Sequence, residues 1–216
     1  MKLRRELNDL PFSGLLTACD GELEDEGHYD GVLFSGMTLE GSEADLARFV
    51  ECAFSDVTLD GVALRKARLS DVWLRDVRML SADLAGSSWL DSTFLACSGA
   101  GIQAYDGSFQ RVIFADCKLD SWNFRGTTLT DVTFENCLLR DADFGGATLK
   151  RVKFPGCTLT RADFSRVTLN RTDLRGAELD FTAGYESLRG AIMTTAQLIS
   201  IAPALARQIG IDVKDL

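Results

Sequence analysis

Residues 139–164 read LRDADFGGATLKRVKFPGCTLTRADF, and Leu or Phe recurs in this stretch at every fifth position. The same frame runs from Phe34 to Leu179 without a slip, and 25 of its 30 positions are Leu or Phe. A second frame lies two residues earlier in each unit and holds mostly small apolar residues, such as Ala142 and Cys157. Each five-residue unit therefore carries one small and one large apolar residue.

A period of five matches neither the 3.6-residue period of a helix nor the two-residue period of a strand. The chain must therefore turn a corner in every unit. A unit this short cannot bury its own apolar pair, so the units must stack on one another as a solenoid. We expect both frames to point inward around a square rod.

Units such as Ala142-Asp143-Phe144-Gly145-Gly146 and Ala162-Asp163-Phe164-Ser165-Arg166 follow the pattern A(D/N)LXX. With these units the chain resembles the pentapeptide-repeat proteins over roughly two thirds of its length. The resemblance implies an all-β fold, a right-handed quadrilateral β-helix with four units in each 20-residue coil. The repeats would form about 7–8 coils.

The repeats divide the chain into three predicted segments. We expect an N-terminal cap and acidic loop over residues 1–31, the β-helix over 32–182, and a helical cap or dimerisation segment over 183–216. No apolar run approaches the length of about 18 residues that a membrane span needs. The N-terminus has no apolar run typical of a signal peptide, so a cytoplasmic location is expected.

The C-terminal segment is predicted to form a short α-helix over residues 194–210. Thr194 or Thr195 is the expected N-cap and Gly210 the expected end, while Pro203 should kink or split the helix. One apolar face is expected to cap the last coil, to bind a second copy, or both; its candidate dimer residues are Leu198, Ile201, Leu205 and Ile209. A similar tail contributes to a dimer in the Qnr-type quinolone-resistance branch that the chain resembles.

Four cysteines, Cys97, Cys117, Cys137 and Cys157, lie one predicted coil apart in the small inward frame. Stacked coils are about 4.8 Å apart, which is too far for a disulfide, and four thiols in a line cannot form a tetrahedral metal site. We interpret them as buried, reduced packing residues.

The stretch from Asp20 to Asp30 is acidic and contains His28, the one histidine of the chain. A carboxylate–histidine metal site is one interpretation. A solvated loop that protects the edge of the first coil is the favoured one, because the spacing of an EF-hand is absent. No metal or cofactor is therefore predicted.

No pair of nucleophile and base is evident, and the glycines mark corners rather than a phosphate-binding loop. The chain is predicted not to be an enzyme. Two units are irregular: Ala44-Asp45-Leu46-Ala47 resembles a unit shifted by two residues, and the stretch from Ala96 to Ala104 should loosen one coil. Ile102 and Trp122 are oversized and Ala104 is undersized, which indicates a local exchange of volume.

Two outward-facing columns are candidate partner sites. The first is an apolar strip around Trp73, with Leu95 and Ile113, beside which ladder-stacked support of the sheet remains an equal alternative. The second is an acidic column; its residues are Glu51, Asp71 and Asp91. Arginines continue this column in the later coils.

Charge is unevenly distributed along the chain. Residues 1–108 hold 9 basic and 19 acidic residues, a net charge of −10, whereas residues 109–216 hold 14 basic and 13 acidic residues, a net charge of +1. The resemblance to the Qnr-type branch implies a DNA-mimicking protein that binds DNA gyrase, a type II topoisomerase, and protects it from inhibitors. The alternative is a scaffold for another protein through the strip around Trp73. Neither hypothesis includes direct binding of nucleic acid or of a membrane.

Overall fold

The computed structural model describes residues 3–19, 21–208, 210–212 and 214. These residues form a β-solenoid of about eight coils with one C-terminal helix, which confirms the predicted fold class. Strands pair in parallel with an offset of 20 residues, so Phe94 stacks on Leu74 and beneath Phe114. The offset is the four units per coil that the resemblance implied.

The coil has four faces, which we number in chain order. The strands of face 1 are Thr17–Ala18, Val32–Ser35, Ala53–Ser55, Trp73–Arg75, Thr93–Leu95, Ile113–Ala115, Thr133–Glu135, Thr172–Asp173 and Ala191–Ile192. The strands of face 2 are Thr38–Glu40, Thr58–Asp60, Arg78–Leu80, Ser98–Ala100, Lys118–Asp120, Thr158–Asp163 and Glu178–Ala183. Face 3 is a ladder of isolated bridges at Glu43, Ala63, Asp83, Gln103, Asn123, Asp143 and Asp163. The strands of face 4 are His28–Asp30, Arg48–Val50, Arg68–Ser70, Ser88–Leu90, Ser108–Gln110, Thr128–Thr130, Thr148–Lys150 and Thr168–Asn170.

The interior of the rod is filled by the two apolar frames, as predicted. The large side chains stack on their equivalents one coil away; the rings of Phe114 and Phe134, for example, lie 4.8 Å apart and 8° from parallel. Such columns place apolar area in van der Waals contact at the spacing of the strands. The core is consequently continuous along the solenoid.

Corners are made by a left-handed residue two positions after each large residue. From Gly36 to Gly176 every fifth residue has a positive φ, including Asp71 at 55° and Arg151 at 56°. Most of these residues are Gly, Asp or Asn, which adopt this region more readily than other residues. The polar residues that follow each Leu or Phe are therefore partly a requirement of the backbone.

The two irregular units keep the frame. Ala44 is buried in the large frame, while Leu46 occupies a left-handed corner and is exposed. Ser98–Ala100 pairs with strands on both sides, so the expected loosening of this coil is wrong at the level of the backbone. The space that Gly99 leaves is filled by the indole of Trp122, which confirms an exchange of volume between coils.

The ladders extend beyond the predicted boundaries of residues 32 and 182. Thr17–Ala18 pairs with Val32 and Leu33 at the start, and Ala191–Ile192 pairs with Thr172–Asp173 at the end. A sequence frame of large residues misses these parts because they carry the backbone ladder without the side-chain repeat.

The C-terminal helix spans Thr195–Gln208, with Thr194 as its N-cap: the Thr194 hydroxyl accepts a hydrogen bond from the Gln197 amide at 3.1 Å. The helix continues through Pro203, so the predicted split is wrong. It packs against Glu178–Ala183 and Tyr185–Ser187. The Gln197 side-chain amide donates to the carbonyls of Leu174 and Ala177, at 2.6 and 2.8 Å, and so caps backbone groups at the end of the rod.

Candidate functional site

The apolar strip on face 1 is covered by the chain itself. Trp73, Leu95 and Ile113 are only 2–8% exposed, because Leu10 and Phe12 of the N-terminal segment pack on them. The prediction of an exposed strip is therefore wrong. A column of apolar side chains that would otherwise face water gains stability when another part of the chain covers it.

The covering segment, residues 3–16, contains two short 3-10 turns, Leu7–Asp9 and Ser13–Leu15. Polar contacts fix it over several coils. The indole Nε1 of Trp73 donates to the carbonyl of Arg4 at 3.0 Å, and the Arg75 guanidinium bonds Glu6 at 2.5 Å. One or two coils further on, Arg5 pairs with Asp116 at 2.9 Å. The sequence signal for this segment is its Leu and Phe content outside the repeat frame.

The predicted acidic column lies at the corner between faces 4 and 1. Glu51, Asp71 and Asp91 are all half-buried and left-handed. Asp91 accepts two hydrogen bonds from Arg111, at 2.7 and 2.6 Å, and this guanidinium lowers the pKa of the Asp91 carboxyl against the opposing effect of partial burial. Part of the column is therefore neutralised within the chain, and only Glu51 and Asp71 keep their charge free of an ion pair among the described residues.

A second acidic surface, not recognised from the sequence, runs along faces 2 and 3 of the first coils. Glu40 and Asp60 are register partners on neighbouring strands, and Glu22, Glu40 and Glu43 line one cavity of about 430 Å³. We call these residues with Asp83 the acidic edge; none of them forms an ion pair among the described residues. The spacing of 20 residues between Glu40 and Asp60 is the signal that could have revealed it.

The predicted dimer residues of the C-terminal helix do not share one exposed surface. Ile201 is buried against the end of the rod and Leu205 is half-buried, whereas Leu198 is 51% exposed and its neighbour Ile199 68% exposed. Ile209 lies outside the described residues. The helix thus has a capping side and a separate outward apolar side.

The cysteine ladder is buried and unbridged. The Cys117 thiol donates to the carbonyl of Ala115 at 3.2 Å, and Cys157 donates to that of Phe134 at the same distance. Burial raises the pKa of the Cys117 thiol, so the neutral form persists. Among the described residues no group of three potential metal ligands is present, and no described helix is long and apolar enough to cross a membrane.

His28 opens face 4, where Arg48, Arg68 and Ser88 follow it in register. Three strand spacings, about 14 Å, separate His28 from Ser88. That separation excludes a hydrogen-bonded pair of base and nucleophile between these two residues. The His28 Nδ1 instead lies 2.9 Å from the carbonyl oxygen of Glu26.

A four-faced β-solenoid built from five-residue units is the fold of the pentapeptide-repeat class. The family model described as the pentapeptide repeat region matches residues 105–183. The resemblance to the pentapeptide-repeat proteins is therefore confirmed, in this region by sequence and over the rod by fold.

Solved structures with this fold share little sequence with the chain. Full-length QnrB1, a plasmid-mediated fluoroquinolone resistance protein, is 17% identical, with 83% of this chain and 100% of that chain covered and a TM-score of 0.50. HetL, a pentapeptide repeat protein involved in heterocyst differentiation regulation from the cyanobacterium Nostoc sp. strain PCC 7120, is 19% identical over 80% of this chain and 92% of that one, with a TM-score of 0.46. No curated protein matches the chain.

Proposed function

We propose that this chain is a non-enzymatic rod that binds a protein partner, and that the partner is a type II topoisomerase, DNA gyrase, which it protects from inhibitors. The observation that carries the proposal is the acidic edge, where Glu40 and Asp60 stack in register without a counter-charge among the described residues. Like charges directly opposite one another on a sheet destabilise it, and a basic partner surface would relieve that repulsion. The fold of QnrB1, a fluoroquinolone resistance protein, supports the same class of partner.

The charge density of the N-terminal half supports imitation of DNA. Averaged over the whole rod, a net charge of −9 gives a density several-fold below that of a duplex. Residues 1–108, however, carry a net charge of −10 on about five coils, or roughly 24 Å at the strand spacing. That is about one charge per 2.4 Å, close to the value of about 1.7 Å for duplex DNA.

Binding of DNA gyrase, measured by surface plasmon resonance together with a supercoiling assay, tests the proposal. Neutralising the edge with Glu40→Gln and Asp60→Asn should weaken binding by on the order of 1 kcal/mol, roughly fivefold in Kd, and should flatten its dependence on ionic strength. Neutralising the corner with Glu51→Gln and Asp71→Asn shows whether this column also contributes.

The matched control is Glu178→Gln with Glu186→Gln, two exposed carboxylates near the C-terminal end of the rod. This pair changes the net charge by the same amount and should leave binding unchanged. Equal weakening in the control would reduce the effect to net charge alone. Absence of binding by the unaltered chain at low ionic strength would exclude gyrase as the partner.

A further inference from the structure

Face 4 of the acidic half carries a groove of cations. Arg48 and Arg68 are register partners on neighbouring strands, about 4.8 Å apart along the backbone. Lys66 occupies the left-handed corner beside them, and His28 precedes Arg48 in the same column. Both arginines and the lysine are exposed, and none forms an ion pair among the described residues.

Arginines elsewhere on the coils are paired with a carboxylate of a neighbouring coil. Arg65 bonds Asp45, Arg111 bonds Asp91, Arg151 bonds Asp131 and Arg161 bonds Asp141, each with the acidic residue 20 positions earlier. At Arg68 the residue 20 positions earlier is Arg48. The column therefore stacks like charges where the chain normally stacks opposite ones, and this arrangement costs stability unless an anion lies between them.

The cations line a concave site. A cavity of about 480 Å³ is bounded by Glu26, His28, Leu46, Arg48, Lys66, Arg68, Gly86 and Ser88. Its floor deepens where Gly86 and Ser88 replace the longer side chains of the earlier coils. On the other side of the two arginines lies a groove of about 310 Å³ with an apolar rim that includes Val50 and Leu90. The site thus joins a cationic pocket to an apolar shelf.

We propose that this groove binds a small phosphorylated molecule, with its phosphate held by Arg48, Arg68 and Lys66 and its uncharged part resting on the shelf of Val50 and Leu90. A phosphate carries up to two negative charges and three acceptor oxygens, so it can bond two guanidinium groups and an amine at once. A single carboxylate has one charge and leaves part of this set uncompensated. The cavity also lies in the size range of small-molecule sites, about 300–1,000 Å³.

Inorganic pyrophosphate is the probe for the test, titrated by calorimetry and by the thermal unfolding midpoint at constant ionic strength set with sodium chloride. The unaltered chain should release or absorb heat on binding, and its midpoint should rise. Arg48→Gln with Arg68→Gln should abolish both responses. Without pyrophosphate this variant should melt above the unaltered chain, because the stacked like charges are gone.

The control is Arg78→Gln with Arg207→Gln, two exposed arginines elsewhere with the same loss of charge. Arg78 has Thr58 and Ser98 as register partners, so no like charge is relieved there. The control should keep the response to pyrophosphate. The proposal is overturned if pyrophosphate has no effect on the unaltered chain or shifts all three proteins equally. Equal binding of citrate would remove the preference for phosphate, and tighter binding of a DNA duplex would assign the groove to nucleic acid.

Discussion

A single glycine decides how the middle of the rod is packed. A Cβ atom placed on Gly99 would lie 2.5 Å from Nε1 of Trp122, closer than any real contact. Trp122 occupies the small frame one coil later, and its indole fills the position where the large frame would otherwise place Leu or Phe. The indole Nε1 has no hydrogen-bond partner among the described residues, a polar cost that the packing offsets.

The exchange between Gly99 and Trp122 predicts a strongly coupled pair. Gly99→Leu alone should destabilise by about 3 kcal/mol through overpacking, and Trp122→Val alone by about 3–5 kcal/mol through the cavity it leaves. The double variant restores both apolar frames and should recover at least about 1 kcal/mol relative to the sum. Urea unfolding of the four proteins measures the coupling. Additive losses would contradict a shared volume.

The pair of Asp91 and Arg111 predicts a defined dependence of stability on pH. The pKa of Asp91 is lowered in the folded chain, chiefly by its hydrogen bonds to Arg111. Its contribution to the free energy of unfolding is therefore present above the ordinary carboxyl pKa and is lost as pH falls through the lowered value. Asp91→Asn should melt below the unaltered chain at pH 7, by an amount equivalent to about 1 kcal/mol or less.

Melting curves between pH 2 and pH 7 test this prediction, since the difference between Asp91→Asn and the unaltered chain should vanish at the acid end. Asp71→Asn is the comparison at the same corner one coil earlier, where the carboxylate contacts the Ser70 hydroxyl rather than an arginine. A difference for Asp91→Asn that persists at pH 2 would show a cause other than the ion pair.

At the scale of elements, the N-terminal segment acts as a fifth layer over face 1. Phe12 is 3% exposed against the column of Trp73, whereas Leu15 in the same segment is 73% exposed. Because the segment is held by one apolar contact surface and a few polar bonds, it should detach as a unit when an apolar anchor is lost.

Phe12→Asp should release the segment, because the substitution would bury an unpaired charge against an apolar column. We expect Trp73 to become accessible to acrylamide quenching and residues 3–16 to become sensitive to protease, while the coils stay folded. Leu15→Asp is the matched control and should change neither property. If quenching stays the same in Phe12→Asp, the segment does not cover Trp73 in solution.

At the scale of the whole molecule, the rod has two ends of different character. The acidic edge and the cationic groove lie on different faces of the N-terminal half, and the C-terminal half is nearly neutral. The outward side of the C-terminal helix exposes Leu198 and Ile199. We propose that this side joins two copies, which would place the acidic halves at the tips of an elongated dimer.

Light scattering on the intact chain tests the dimer. Leu198→Glu with Ile199→Glu should shift the mass from dimer to monomer and leave the melting temperature of the coils nearly unchanged, because both side chains point away from the rod. Ser200→Glu, an exposed position on the same helix, should keep the dimer. A monomer for the unaltered chain would exclude this interface, and a dimer for the double variant would place it elsewhere.

The sequence by itself determined the coil. Phe34 to Leu179 keeps one frame, and every unit repeats the same contacts with its neighbours 20 residues away, so a local pattern specifies the stack. It also indicated the burial of Cys97 to Cys157 and the start of the helix at Thr194. In each case the determining residues are near in sequence or recur at a fixed period.

Only the tertiary structure decided which outward columns are available. Trp73 is covered by Leu10 and Phe12, more than 60 positions away, and no period links these residues. Asp91 is neutralised by Arg111, while Glu40 and Asp60 are not neutralised by any described residue. Whether an outward side chain is free depends on the charge, length and direction of its neighbours in space. Those contacts carry no repeat of their own, and for that reason the frame that predicts the core says little about the surface.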